Sequence, residues 1–374
     1  MQTVLVTGSS GFIGRNLVES LRIREAIRIR TFDLQDEPGS LERHLDEADI
    51  IYHLAGVNRP SNDEEFESGN AGLTSRIIDR LLYSGRRPLV VLSSSTQADF
   101  DNPYGRSKKK AEELLLGYAR ETGGPIKIFR LPNVFGKWCR PNYNSVVATF
   151  CHNIAHGLPI SISDPQKEIT LVYIDDVVSS FSQLLTSVEH GSDFGDIHPR
   201  YVSTLGEIAD YIGGFREMRS SLVVPDLRER FIVALYATYL SYLESDDFAY
   251  ELVKKTDQRG SLAELLKSSH FGQIFISRTK PGITRGNHYH HLKTEKFCVV
   301  EGVAIIRFRH IQKGDVIEYR VRGEEFKVVD IPPGYTHSIE NIGTNELVTL
   351  FWASQQFDPQ HPDTYSLSVI DEQT

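Results

Sequence analysis

Residues Thr3–Leu21 read TVLVTGSSGFIGRNLVESL. A β-branched run, Thr3–Thr7, leads straight into three glycines, Gly8, Gly11 and Gly14, spaced GxxGxxG, and an amphipathic stretch follows. Glycine lets a backbone turn sharply and come close to a pyrophosphate, whose charge then rests on the free N–H groups of a helix N-terminus. Strand, loop and helix in this order predict a dinucleotide site, with Gly8, Gly11, Phe12, Ile13, Gly14 and Arg15 as its contacts. Asp33 ends the next strand-like run, Ile27–Asp33. A carboxylate there accepts hydrogen bonds from an adenosine ribose and favours NADH, whereas Arg15 can pair with a 2′-phosphate and favours NADPH. These residues leave the choice between NADH and NADPH open.

Working outward, short buried-looking runs (Asp49–Leu54, Leu89–Ser93, Ile126–Arg130) alternate with helix-like segments (Arg15–Arg24, Asn70–Ser84, Ser107–Glu121). That alternation predicts an α/β, doubly wound parallel sheet of the Rossmann-like kind. From Gly272 onward the pattern changes to runs such as GQIFISR, VAIIRFRH and LVTLFWA, several with a period of two. These suit an all-β antiparallel barrel. The join falls in Tyr242–Asp247, giving expected domains of 1–243 and 244–374.

Composition narrows the function classes. The chain has 374 residues, 41 Lys and Arg against 50 Asp and Glu, and a net charge of −9. Without a basic block it is a poor binder of nucleic acid or of an anionic membrane surface. No run of about 18 apolar residues is present, so no membrane insertion is expected. Cys139, Cys151 and Cys298 show no CxxC spacing, and the N-terminus lacks a secretory pattern. A cytoplasmic location follows as the expectation.

Two constellations carry chemistry. In VVLSSSTQADFDNPYGRSKKK, Tyr104 and Lys108 are spaced i, i+4, which places both on one face of a helix. A tyrosine of ordinary pKa about 10 becomes a usable acid near neutrality when a cation lies beside it. Lys108 is placed to supply that cation and to hold a nicotinamide ribose. Ser95, with Ser94 or Thr96 as alternatives, ends the preceding strand and is placed to bond a substrate carbonyl. Further on, His288, His290 and Glu295 lie in PGITRGNHYHHLKTEKFCVVEG, and His337 lies in PPGYTHSIEN. Three imidazoles and a carboxylate suit a divalent metal, zinc first, with nickel, iron or manganese as alternatives. His291 faces the other way on a strand. Tyr289, Lys296 and Tyr335 flank the ligands as candidates for moving a proton.

These motifs carry resemblances. TGSSGFIG, HLAG (His53–Gly56), the serine run, YGRSK and LPNVFG (Leu131–Gly136) follow the order of the extended short-chain dehydrogenase/reductase family, nucleotide-sugar branch, over roughly residues 1–240. The resemblance implies that Tyr104 is the general acid, assisted by Ser95 and Lys108, and that Leu54, Ala55 and Gly56 line the cofactor. It also implies that Asn133, Asn144 and Ser145 contact the sugar nucleotide. One departure is the loop from Ser95 to Tyr104, far shorter than the about two dozen residues usual in that family. Gly282–Asn341 resembles the cupin superfamily, except that Phe326 stands where its second motif usually begins with glycine. Asp257–Glu264 is similar to the DxRGxxxE opening of cupin-type deoxysugar epimerases.

With FGKWCRPNYNSV (Phe135–Val146), YLESDDFAY (Tyr242–Tyr250) and FDPQHPDTY (Phe357–Tyr365), the whole chain resembles the bifunctional capsule and O-antigen enzymes that join these two domains. That resemblance implies C3 epimerisation of a UDP-4-keto-2-acetamido-2,6-dideoxy-hexose in the second domain. NADPH-dependent C4 reduction in the first would follow, towards UDP-N-acetyl-L-fucosamine. A homodimer is also implied. The competing readings are a reductase whose second domain is only structural or dimerising, and a sugar-nucleotide-sensing regulator.

Overall fold

The computed structural model describes residues 1–370 apart from Pro38, Ser61, Asp63, 187–192 and Lys313. The chain divides into two compact units. The first comprises Met1–Gly213 and Val233–Leu243, and the second Gly214–Ile232 and the residues from Glu244 onward. The segment Gly214–Ile232, placed in the first domain by the sequence reading, therefore packs with the second unit.

In the first unit the strands are β1 (Gln2–Thr7), β2 (Ile27–Phe32), β3 (Ile50–His53), β4 (Leu89–Ser95), β5 (Ile126–Leu131), β6 (Asn133–Phe135), β7 (Glu168–Tyr173), β8 (Phe194–Gly195) and β9 (Tyr201–Thr204). A six-stranded sheet runs in the order β2-β1-β3-β4-β5-β8, every pair parallel. The parallel doubly wound expectation is met. The order reverses between β1 and β3, and the crevice beyond the carboxyl ends of strands at such a reversal is where open α/β sheets bind ligands. A small sheet, β6-β7-β9, supports the loops after β5.

Parallel strands covered on both faces need apolar side chains in both directions, and these strands supply them. Val4, Val6, Tyr52 and Val91 pack with Leu17, Leu21, Val177 and Phe181, from the helices Phe12–Arg22 and Ile174–Gln183. On the other face Leu5, Ile51, Val90 and Ile128 meet Leu45, Ile77, Leu81 and Leu115. These come from the helices Ser40–Glu47, Leu73–Ser84 and Pro103–Thr122. The glycine loop makes the first helix fit. Gly8 has φ +70°, and a Cβ on Gly14 would lie 2.1 Å from the Gly8 carbonyl oxygen. Any side chain at Gly14 would therefore lift the helix off the loop.

The second unit holds β10 (Lys254–Asp257), β11 (Gly260–Ser268), β12 (Gly272–Thr279), β13 (Thr284–Tyr289), β14 (Glu295–Glu301), β15 (Val303–His310), β16 (Val316–Arg322), β17 (Val328–Ile331), β18 (Tyr335–Asn341), β19 (Leu347–Ala353) and β20 (Tyr365–Ser366). They form two antiparallel sheets, β10-β11-β12-β19-β14-β17 and β16-β15-β18-β13-β20. Alternate residues of both sheets, among them Phe297, Val299, Ile306, Phe308, Ile339 and Phe351, make one buried core. Among the described residues no helix is long and apolar enough to cross a membrane.

Phe326 adopts φ +45°, ψ +39°, the left-handed region that glycine enters without strain, while its ring is 68% exposed. A non-glycine residue in that region carries a penalty of roughly 1–2 kcal/mol, and an exposed ring returns little by burial. Phe326→Gly is expected to stabilise the protein by about 1 kcal/mol, read as a higher urea midpoint with an unchanged slope. A lower midpoint would show that the ring holds the turn.

Candidate active site and metal centre

The carboxyl ends of β1, β3 and β4 bring the first constellation together. Gly11 precedes the helix Phe12–Arg22 without a side-chain cap, and no acidic residue occupies its first turn. The positive end of that helix is therefore left for a ligand's negative charge. The Asp33 carboxylate turns onto the same loop, accepting hydrogen bonds from Ser9 Oγ at 2.5 Å and from Ser10 N at 3.1 Å. Arg15 is exposed, with one guanidinium nitrogen 3.4 Å from the Ser10 carbonyl.

His53 closes β3 with both ring nitrogens used, Nδ1 on Thr7 Oγ1 at 2.8 Å and Nε2 on Thr74 Oγ1 at 2.9 Å. Burial, reinforced by the Lys108 charge, pushes its pKa down to about 3, so the ring is a neutral tie between strand and helix. Beyond it Leu54, Ala55 and Gly56 enter the loop. A Cβ on Gly56 would lie 3.1 Å from Lys108 Nζ and 2.7 Å from Asn70 Oδ1.

The short connection from Ser95 is taken up locally. Ser95 caps a single 3₁₀ turn, Thr96–Asp99, by accepting from Gln97 N, and Asn102 Oδ1 accepts from Gly105 N to start the helix Pro103–Thr122. Tyr104 thus sits in the first turn and Lys108 one turn on, as the spacing required. The missing residues do not separate serine from tyrosine, because Ser95 lies near enough to the Tyr104 side chain to oppose the rise in its pKa. Ser94, the alternative, is committed elsewhere: its hydroxyl donates to buried Glu112, which also pairs with Arg130 at 2.6 Å.

Lys108 stands one helical turn from Tyr104, and burial acts on both groups. Burial pushes the phenol pKa up, Ser95 opposes that, and Lys108 Nζ lies 5.9 Å from the ring centre. Its ammonium donates to the Ser93 carbonyl at 3.1 Å. Burial lowers the Lys108 pKa to about 8, partly offset by Glu112. Tyr104 therefore stays protonated at neutral pH, the state an acid needs, beside a buried cation.

Sequence reasoning missed Asn70. It lies in one wide π-helical stretch, Glu67–Gly72, a rare element often found at functional sites. From there its amide bonds Val57 N at 3.0 Å, Val57 O at 3.2 Å and Ser107 Oγ at 2.9 Å, tying the loop after β3 to the tyrosine helix. No spacing in the sequence announces a π turn. Further along, Asn133 donates to the Thr170 carbonyl at 3.1 Å, and Asn144 is exposed. Ser145 caps the helix Val146–Ala155 by accepting from Ala148 N at 3.3 Å. Next to them two guanidiniums approach the Tyr143 ring, Arg140 at 5.1 Å and Arg59 at 5.6 Å from its centre.

In the second unit His288, His290, Glu295 and His337 converge, their ligand atoms all within 4.8 Å of one another. His288 sits opposite His337 in the β13–β18 register, and Glu295 opens β14. His290 falls just past the end of β13 rather than on it, and a register shift between Gly286 and His288 accompanies the change. His290 Nδ1 donates to the Asp363 carbonyl at 2.5 Å, which turns its Nε2 lone pair inward. The Nε2 atoms of His290 and His337 are buried without a hydrogen bond, although Glu295 Oε2 lies 3.3 and 3.2 Å away. Burial pushes the His288 pKa down to about 4, with the neighbouring His337 acting the same way, so it presents a neutral ring. Inward lone pairs without a proton donor fit a divalent cation. His291 is outside the cluster, against Tyr289 and Tyr365. Lys296 is exposed and paired with Asp330.

The fold and both sites define a nicotinamide-dependent enzyme of nucleotide-sugar type. The chain belongs to the NAD dependent epimerase/dehydratase family, whose model matches residues 4–197, and a polysaccharide biosynthesis C-terminal domain matches residues 255–365. Its relatives include the UDP-2-acetamido-2,6-beta-L-arabino-hexul-4-ose reductase of Pseudomonas aeruginosa, 45% identical over 366 residues and 98% of each chain. The crystal structure of the capsular polysaccharide assembling protein CapF from Staphylococcus aureus superposes with a TM-score of 0.92 at 45% identity. That match covers 98% of this chain and 100% of that one. The UDP-glucuronic acid 4-epimerase of Bacillus cereus, at 17% identity and a TM-score of 0.56, covers 64% of this chain and 96% of its own, and shares the fold.

The depressed Lys108 pKa has a sign. In the unfolded chain this amine holds its proton up to about pH 10.4, whereas in the fold it releases it near 8. Between those values the unfolded state binds more protons, so this group makes stability rise with pH. Urea unfolding at pH 7 and pH 10 is expected to show Lys108→Met more stable than the wild type at pH 7, the difference shrinking at pH 10. A variant that is less stable at both would show that the Ser93 contact outweighs the cost of burial.

Proposed function

We propose that the chain is an NAD(P)H-dependent reductase of a UDP-linked 4-keto-2-acetamido-2,6-dideoxy-hexose that also inverts C3 of that sugar in its second unit. The product leads towards UDP-N-acetyl-L-fucosamine for capsule or O-antigen, in the cytoplasm. The observation that carries the reading is the meeting of Ser95 and Tyr104 beside buried Lys108 at the carboxyl edge of a dinucleotide-type sheet.

Ser95 and Tyr104 bond the C4 carbonyl oxygen, and Tyr104 gives it a proton as the carbonyl becomes an alcohol. Bound nicotinamide supplies the hydride. Lys108 would hold the ribose of that cofactor, and its buried ammonium keeps positive charge near the phenolate that remains. Arg15 meets the 2′-phosphate of NADPH, while the Asp33 carboxylate is already occupied by Ser9 and Ser10. Asn133, Asn144 and Ser145 line the sugar-nucleotide groove, and Arg59 and Arg140, two cations sharing one ring, suit its diphosphate.

His288, His290, Glu295 and His337 would hold the divalent ion, zinc by donor set. Such an ion supplies a Lewis acid for the oxygen next to an acidified carbon. The C3 proton is acidic because C4 is a ketone, so removal and return on the opposite face must precede reduction. The edge strand β16 carries exposed Val316, Ile317 and Tyr319, a surface suited to a second copy in a homodimer.

Incubation with NADPH and a UDP-4-keto-2-acetamido-2,6-dideoxy-hexose tests the reading. Oxidation of NADPH, with the C4 alcohol identified by NMR, is expected. Tyr104→Phe should lower kcat by about 10²–10⁴ while leaving NADPH binding intact. A folded wild type that consumes no NADPH would favour the sensing regulator instead.

A further inference from the structure

The segment between β19 and β20 reaches back over the turn that joins two strands bearing the metal-site residues. Its residue Asp363 has φ +35°, a left-handed conformation that aspartate and asparagine tolerate better than most side chains. In that pose it makes four contacts with one short stretch. Its carbonyl oxygen accepts from His290 Nδ1 at 2.5 Å. Its carboxylate accepts from the backbone N–H groups of His291 at 3.0 Å, Leu292 at 3.0 Å and Lys293 at 2.8 Å. Lys293, a largely buried cation, reaches the other way and donates to Pro362 O at 3.4 Å and Thr364 Oγ1 at 3.1 Å. On the far side Tyr365 pairs with Tyr289 in the β13–β20 ladder, their rings stacked 5.3 Å apart.

These contacts do what His290 needs and its own strand cannot provide. Because His290 lies beyond β13, the ladder does not set its ring. The turn His291–Lys293 carries three consecutive N–H groups, which one carboxylate gathers, and the spacing between His290 and Glu295 is set by that turn. The acceptor on Nδ1 fixes the tautomer and leaves Nε2 to face Glu295 and His337.

We propose that Asp363 is the positioning residue of the metal centre, holding His290 and the turn before Glu295 in ligating geometry from a distant part of the chain. This rests on the metal centre proposed above. Partners that orient metal-ligating histidines typically account for 10–100-fold in metal affinity.

The test uses the full-length chain, stripped with a chelator and titrated with Zn²⁺ against a chromophoric competitor. Asp363→Asn preserves the backbone conformation but replaces the charge with a single acceptor oxygen. Asp363→Ala removes the carboxylate that gathers the three N–H groups and the tolerance for positive φ that aims the backbone carbonyl at His290. Asp363→Ala is expected to weaken zinc binding about 10–100-fold and Asp363→Asn by less. In Co²⁺-loaded protein the visible ligand-field bands should shift in both variants, a change that a merely structural role would not cause. Zinc affinity and cobalt spectrum both unchanged in a folded Asp363→Asn would overturn the role of Asp363 while leaving the metal centre standing. A wild type that takes up neither ion would overturn the centre and this proposal together.

Discussion

Three imidazoles and a carboxylate are crowded within 4.8 Å of one another, and two of the ring nitrogens are buried and lack a hydrogen bond. A buried polar atom left unsatisfied costs about 1–3 kcal/mol. A cation in the midst of these lone pairs would convert the cost into binding free energy. The two antiparallel sheets position this cluster: β13 carries His288, β18 carries His337 and β14 begins at Glu295.

The first unit repeats the logic with the opposite charge. Lys108 is buried against a carbonyl rather than a carboxylate, and the adjacent glycine loop leaves a helix N-terminus uncapped. Buried positive charge and uncapped N–H groups at the edge of one crevice suit a polyanionic dinucleotide. Glu112, a buried carboxylate that offsets the burial of the lysine only in part, is itself held in a bidentate pairing with Arg130. Each unit thus places its uncompensated groups where a ligand completes them.

Much of this was legible in residue order. The β-branched runs of the first unit became strands with boundaries shifted by one or two residues, because their hydrophobic pattern answers to helices on both faces. His288 and His337 meet through the cross-strand pairing of β13 with β18, a local rule, whereas His290 lies past the strand and joins them from the turn. Through-space relations were hidden. The reach of Asp363 depends on a tail folding back over a turn, and Asn70 depends on a π-helical stretch that no pattern marks. The short loop after Ser95 looked like a break in the tyrosine site, yet a 3₁₀ turn and an Asn102 cap close the gap. Burial, which spacing does not reveal, is the largest influence on the pKa of both Tyr104 and Lys108.

The account requires one ketone to be used twice, first to acidify C3 and then to accept hydride. The most direct measurement is NMR of the 4-keto sugar nucleotide incubated in D₂O with the Tyr104→Phe protein and no nicotinamide. Deuterium appearing at C3, and disappearing from the product when Glu295→Gln is added to that variant, is the predicted result. A C3 proton that stays in place in the folded, metal-loaded protein would contradict it.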